Sequence, residues 1–96
     1  MVFAVCLTDR LNDFARIVKS LRDANISVDT DPDRRSAKSQ FRQADRSGAS
    51  WALAIGDQEL ASGSATLKHL RGGEEISASF DELGATIRRE IGVVTA

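Results

Sequence analysis

Two short runs of unbroken apolar residues constrain this chain more than any other feature: Val2-Phe3-Ala4-Val5-Cys6-Leu7 and Trp51-Ala52-Leu53-Ala54-Ile55. A strand with one wet face alternates apolar and polar residues. A strand that is apolar throughout is covered on both faces, as at the centre of a parallel sheet. Two such strands require layers of helix above and below them, and the chain must supply those helices from 96 residues. That length makes residues 1–96 a single domain with one compact core.

The intervening segments read accordingly. Leu11, Phe14, Ala15, Val18 and Leu21 recur at helical spacing with Arg10, Asp13, Arg16 and Arg22 opposite them, after Thr8 and Asp9 as candidate N-caps. The helix is expected to stop at Asn25, a residue that tolerates the left-handed conformation. Ile26 to Thr30 alternates like a half-exposed edge strand. A second helix starts either at Asp31-Pro32-Asp33 or at Ser36 and runs to about Ser47, ended by Gly48. Gly56-Asp57-Gln58-Glu59 reads as a turn. Residues 64–70 and 75–78 read as a hairpin around Gly72-Gly73. Ser79 and Glu82 form a capping box for a last helix carrying Leu83, Ile87 and Ile91, with Gly92 as its end and the final four residues frayed.

The order β-α-β-α-β-β-β-α with right-handed crossovers predicts an α/β fold. It is a three-layer α/β/α sandwich on a mixed five-stranded sheet of order 2-1-3-4-5, with strand 4 antiparallel and three helices, and both sheet faces covered.

Charge and composition exclude several functions. Thirteen Lys and Arg against fourteen Asp and Glu leave a net charge of −1, so any site for an anion must be local. One cysteine rules out a disulfide framework and fits a reducing, cytoplasmic setting. No apolar run approaches the length of a membrane span, and the first apolar run is too short and lacks the basic start of a signal peptide. Cys6 reads as a buried structural thiol. His69 is the only histidine, with no second soft ligand for a metal. No serine sits in a nucleophile elbow. Thr8-Asp9-Arg10 stands where a nucleotide-binding fold would need a glycine-rich loop. Asp9 lacks the companion acids of a phosphoacceptor domain. No catalytic centre and no metal site are therefore expected.

Two features remain. On a helix of about 100° per residue, Arg35, Lys38, Arg42 and Arg46 fall within roughly 80° of one another, about 135° from a stripe of Ala37, Phe41, Ala44 and Gly48. Such a row is either a solvated face with internal ion pairs or a patch for phosphates. The segment Gly56 to Gly63 places acids just after a central strand, at the end where open α/β sheets bind ligands. Glu59 and Lys68 lie across that turn and are expected to approach one another; in the plainest reading they form a surface ion pair.

At this point the residues resemble a family. Leu21 to Val28, Gln40 to Ala49, Gly56 to Gly63 and Leu67 to Leu70 occur in the order and register of the C-terminal anticodon-binding domain of class IIa aminoacyl-tRNA synthetases. The histidyl branch is closest, because prolyl and threonyl relatives usually carry a proline just before the third strand, where Gly48-Ala49-Ser50 stands. Asn25 replaces the family's usual glycine. The resemblance implies that Glu59 and Lys68 read anticodon bases, with Arg35, Lys38, Arg42 and Arg46 on the RNA backbone. Trp51 is then either a core residue or a stacking platform. It also implies a homodimeric parent ligase that uses ATP and Mg²⁺ to charge histidine tRNA in a catalytic domain that this chain lacks, so no cofactor is expected on this domain and the isolated domain should be monomeric. The competing expectations are a synthetase-like regulatory or dimerisation domain and, with little support, a small standalone enzyme.

Overall fold

The computed structural model describes residues 1–33 and 36–91, with residue 91 described through its backbone alone. The expectations for Arg35, for Gly92 and for the frayed end lie outside the described residues. The elements are β1 (Val2–Leu7), α1 (Leu11–Asp23), β2 (Val28–Thr30), α2 (Ala37–Arg46), β3 (Trp51–Gly56), α3 (Asp57–Ser62), β4 (Ser64–His69), β5 (Glu75–Ser79) and α4 (Phe80–Ile91). The sheet has the order β2-β1-β3-β4-β5. β1 is parallel to β2 and to β3, and β4 is antiparallel to both of its neighbours.

The two apolar runs are the two central parallel strands, in register from Val2↔Trp51 to Leu7↔Gly56. Their alternate residues feed two cores. Val2, Ala4, Cys6, Trp51, Leu53 and Ile55 pack with Phe14, Val18 and Leu21 of α1 and with Leu83 and Ile87 of α4. On the other face Phe3 and Val5 pack with Ala44, Ala49, Phe41 and Leu70 beneath α2. Burial from Val2 to Cys6 and along nearly all of β3 is thus the consequence of having a helix on each side, whereas Leu7, at the end of β1, is exposed.

The helix ends show local causes. α1 closes as the sequence suggests: Asn25 sits at φ 65°, the Asn25 N–H donates to Arg22 O and the Ile26 N–H to Leu21 O, the paired bonds of a Schellman motif. Its start differs from expectation. Neither Thr8 nor Asp9 is the N-cap; Arg10 is, without a side-chain cap, and the Thr8 hydroxyl instead accepts from the Arg10 N–H at 3.1 Å. α2 begins at Ser36, whose hydroxyl accepts from Ser39 N–H at 3.3 Å. Asp31, the alternative start, forms its own turn by accepting from Asp33 N–H. β2 is shorter than the alternation suggests and starts at Val28, because the Schellman turn consumes Ile26.

Three further corrections matter for the site. The segment read as a turn is a fourth helix, α3. Glu59 reaches back to accept the Gly56 N–H at 2.6 Å, and Gly63 at φ 74° ends it; six residues are too few to show a helical period. The core face of α2 is turned from the expected stripe: Gln40 and Ala44 are its buried residues, whereas Ala37 and Gly48 are exposed. Finally, the sheet is not covered throughout. α2 packs on β1, and over β4 and β5 the same face presents Thr66, Lys68, Glu75 and Ser77 with no helix of the described residues upon them.

Gln40 explains why α2 sits where it does. β2 pairs with β1 only as far as Ala4↔Thr30, so the next peptide groups of β1 on that edge have no strand beside them. The Gln40 amide takes the strand's place: its oxygen accepts from Cys6 N–H and its nitrogen donates to Cys6 O, both at 2.8 Å. Outside β2, the Arg22 guanidinium donates to Val28 O and the Asp29 carboxylate accepts from Thr30 N–H, which occupies an edge that would otherwise recruit further strands.

Candidate nucleic-acid interface

The uncovered half of the sheet is the surface that the fold leaves available. β4 alternates Ala65 and Leu67 into the core with Thr66 and Lys68 outward. β5 sets Ser77 opposite Thr66 and Glu75 opposite Lys68, and the Thr66 and Ser77 hydroxyls lie 3.4 Å apart. The floor is an array of hydroxyls with an exposed ammonium and, opposite it, an exposed carboxylate.

Glu59 belongs to this same face. Gly56 shares the parity of Ala52 and Ala54, so a Cβ built on it points to the α2 side of the sheet. That position lies 2.9 Å from Glu59 Oε1 and 3.5 Å from Leu7 Cβ. The Glu59 carboxylate therefore stands over the carboxyl end of β3, on the face from which Lys68 projects.

The structure places the two residues on one face without bringing them together. Lys68 is opposite Ala52, four residues before Gly56, so about 13 Å of strand separates them. No ion pair joins them among the described residues. The surface is a track with the Glu59 carboxylate at one end, the Lys68 ammonium beside the exposed Glu75 carboxylate at the other, and hydroxyls between. A carboxylate accepts from amino and imino groups, an ammonium donates to carbonyls and phosphates, and hydroxyls do both.

Lys38, Arg42 and Arg46 are all exposed and lie roughly 160° to 240° round the helix from Gln40. They point away from the sheet, on the outer surface of α2 beside the track and not on it. Trp51 is 5% exposed and meets the His69 ring edge-on at 4.7 Å between centroids, which makes it core and leaves no face for a base. His69 Nδ1 accepts from Gly72 N–H at 2.9 Å, so the only histidine holds the β4–β5 turn. Sequence reading did not single out Thr66 and Ser77 on this face; the signal was the polar parity of residues 64–68 and 75–77.

A second, acidic hollow of about 370 Å³ lies beyond the ends of the parallel strands, lined by Cys6, Leu7, Thr8, Asp9, Asp33 and Asp57. Its acids repel phosphates. Among the described residues no group of three or more His, Cys, Asp or Glu side chains could hold a metal ion. No helix among them is long and apolar enough to cross a membrane.

Comparison with known proteins gives a consistent picture. The profile of a family described as an anticodon binding domain matches residues 2–90. The histidine–tRNA ligase of Geobacillus kaustophilus is 37% identical over 91 residues, 94% of this chain and 21% of that protein. That of Anaeromyxobacter sp. strain K is 42% identical over 72 residues, 75% of this chain and 17% of that one. The crystal structure of apo histidyl-tRNA synthetase from S. aureus superposes with a TM-score of 0.80 at 34% identity, over 88% of this chain and 25% of that chain. The synthetase from Nostoc sp. PCC 7120 gives 0.83 at 26% identity, over 93% and 22%. The chain thus spans about a fifth of the length of these relatives.

Proposed function

This chain belongs to the anticodon-binding domain family, and from that premise we propose that it is the anticodon-reading module of a cytoplasmic histidine–tRNA ligase. The activity of the whole ligase, with its ATP, Mg²⁺ and homodimeric assembly, resides in a catalytic part outside this chain; the isolated module is monomeric. The observation that supports the reading best is the uncovered polar track. Sequence-specific RNA recognition uses splayed, single-stranded bases, and a flat floor with distinct hydrogen-bonding groups at its two ends suits several bases laid side by side. Glu59 and Lys68 read different bases, since about 13 Å of strand lies between them. Thr66 and Ser77 contact the stretch between. Lys38, Arg42 and Arg46 hold the backbone phosphates as it passes α2. The curated relatives are ligases, which favours this reading over a regulatory domain without aminoacylation.

The test is a fluorescence titration with histidine tRNA and a non-cognate tRNA. Glu59→Ala removes a negative charge, so electrostatics alone predicts tighter binding of any RNA, by at most about 1 kcal/mol for a screened surface group. A lost base contact costs about 1–3 kcal/mol. The variant is expected to weaken the cognate tRNA more than the other. Equal or tighter binding of both means that Glu59 reads nothing.

A further inference from the structure

Gly56 sits at φ −120° and ψ −173°, extended backbone that any L residue adopts. Its conformation does not require glycine, but the space above it does. A Cβ there would lie 2.9 Å from Glu59 Oε1, whereas ordinary van der Waals contact begins at 3.4 Å; its next neighbours, Leu7 Cβ at 3.5 Å and Leu7 O at 3.7 Å, are at ordinary distances. The one group that a methyl would displace is the carboxylate.

We propose that Gly56 is a positioning residue that sets specificity at the Glu59 end of the track. This rests on the base-reading role of Glu59 and adds what places it. The missing Cβ leaves the carboxylate room to lie on the sheet face, and the Gly56 N–H at 2.6 Å holds it there. The helix beneath is fixed from a third side. The Thr8 hydroxyl donates to Asp57 Oδ1 and accepts from Arg10 N–H, tying the first turn of α3 to the end of β1. With α3 tied, an added methyl moves the end of the flexible Glu59 side chain and leaves the backbone in place. A hydrogen bond from a base tolerates little displacement of its acceptor, so discrimination suffers before stability does.

The experiment titrates the chain with an RNA hairpin carrying the histidine anticodon and with hairpins in which one anticodon base at a time is replaced. Gly56→Ala is expected to lose about tenfold of the preference at one base position, the size of a single base contact. The salt dependence of binding stays at its wild-type value, the melting temperature falls by no more than the few degrees that a lost helix cap costs, and the amide at position 56 exchanges faster because its acceptor has moved. Thr8→Val, which frees α3, loses preference at the same base, and Thr8→Ser restores it. Full preference in Gly56→Ala alongside a loss in Glu59→Ala overturns the inference, as does an unchanged exchange rate at position 56. A Gly56→Ala protein that fails to fold overturns it too, because the backbone and not the carboxylate then gave way. Failure of the underlying reading looks different: Glu59→Ala itself keeps the preference, and the inference falls with it.

Discussion

Replacing Gln40 with leucine tests whether a side chain can stand in for a strand. Gln40 is 1% exposed, and both ends of its amide are satisfied by the Cys6 peptide at 2.8 Å. Leucine has similar bulk and no polar atom. It leaves a buried N–H and a buried C=O without their partner, about 1–3 kcal/mol each, offset by roughly 1 kcal/mol of added apolar burial. The net expectation is a loss of about 1–5 kcal/mol. At about 4–8 °C per kcal/mol for a domain of this size, the melting temperature drops by some tens of degrees at most and by about 4 °C at least. Urea denaturation measures it directly. Gln40→Glu sharpens the test. A carboxylate still accepts from Cys6 N–H but sets an oxygen against Cys6 O, whereas the protonated acid restores the donor. The folded state then favours the protonated form, so the stability of this variant is present at low pH and lost as pH rises through the carboxylate range. A Gln40→Leu protein within about 0.5 kcal/mol of wild type, the usual size of an inconsequential substitution, would refute the argument.

Three further outcomes are expected. Asn25→Gly is neutral or stabilising, whereas Asn25→Val costs roughly 1–2 kcal/mol at φ 65°; equal melting temperatures contradict the assignment. Truncating Lys38, Arg42 and Arg46 together weakens all tRNAs alike and flattens the salt dependence of log Kd by up to about 2 in slope. A hydrogen bond to Asp23, and then its charge, raise Lys19 above its ordinary value of 10.5. The stability from this pair is therefore complete below that value and fades as pH rises through the raised one. Urea melts on either side should show the fade in wild type and not in Asp23→Asn.

The parts of this fold legible in the sequence were those where one physical demand dominated a stretch of chain. Burial on both faces wrote itself into Val2 to Cys6 and Trp51 to Ile55, and the need for a left-handed residue marked Asn25. α3 escaped because its helix is set by one carboxylate reaching back to Gly56, a contact with no periodic trace. Gln40 escaped because a polar residue on a helix reads as outward-facing, and only the early end of β2 reveals the peptide it must satisfy; the α2 core stripe was misplaced for the same reason. Glu59 and Lys68 were found as a pair, but nine residues of separation suggested proximity. The intervening helix and the antiparallel run of β4 place them at opposite ends of one face, a relation that depends on register.

The spacing along β4 has a consequence for how errors accumulate. Contacts more than about 7–10 Å apart contribute to binding nearly additively, so discrimination at the two ends multiplies. A wrong base at both ends would be rejected by the product of two factors, and damage to one end would leave the other's factor whole. If Glu59 and Lys68 read bases as proposed, such a surface can be re-addressed one letter at a time: changing the group over Gly56 would alter one base preference while Lys68 kept its own, so a lineage or an engineer could pass through working intermediates.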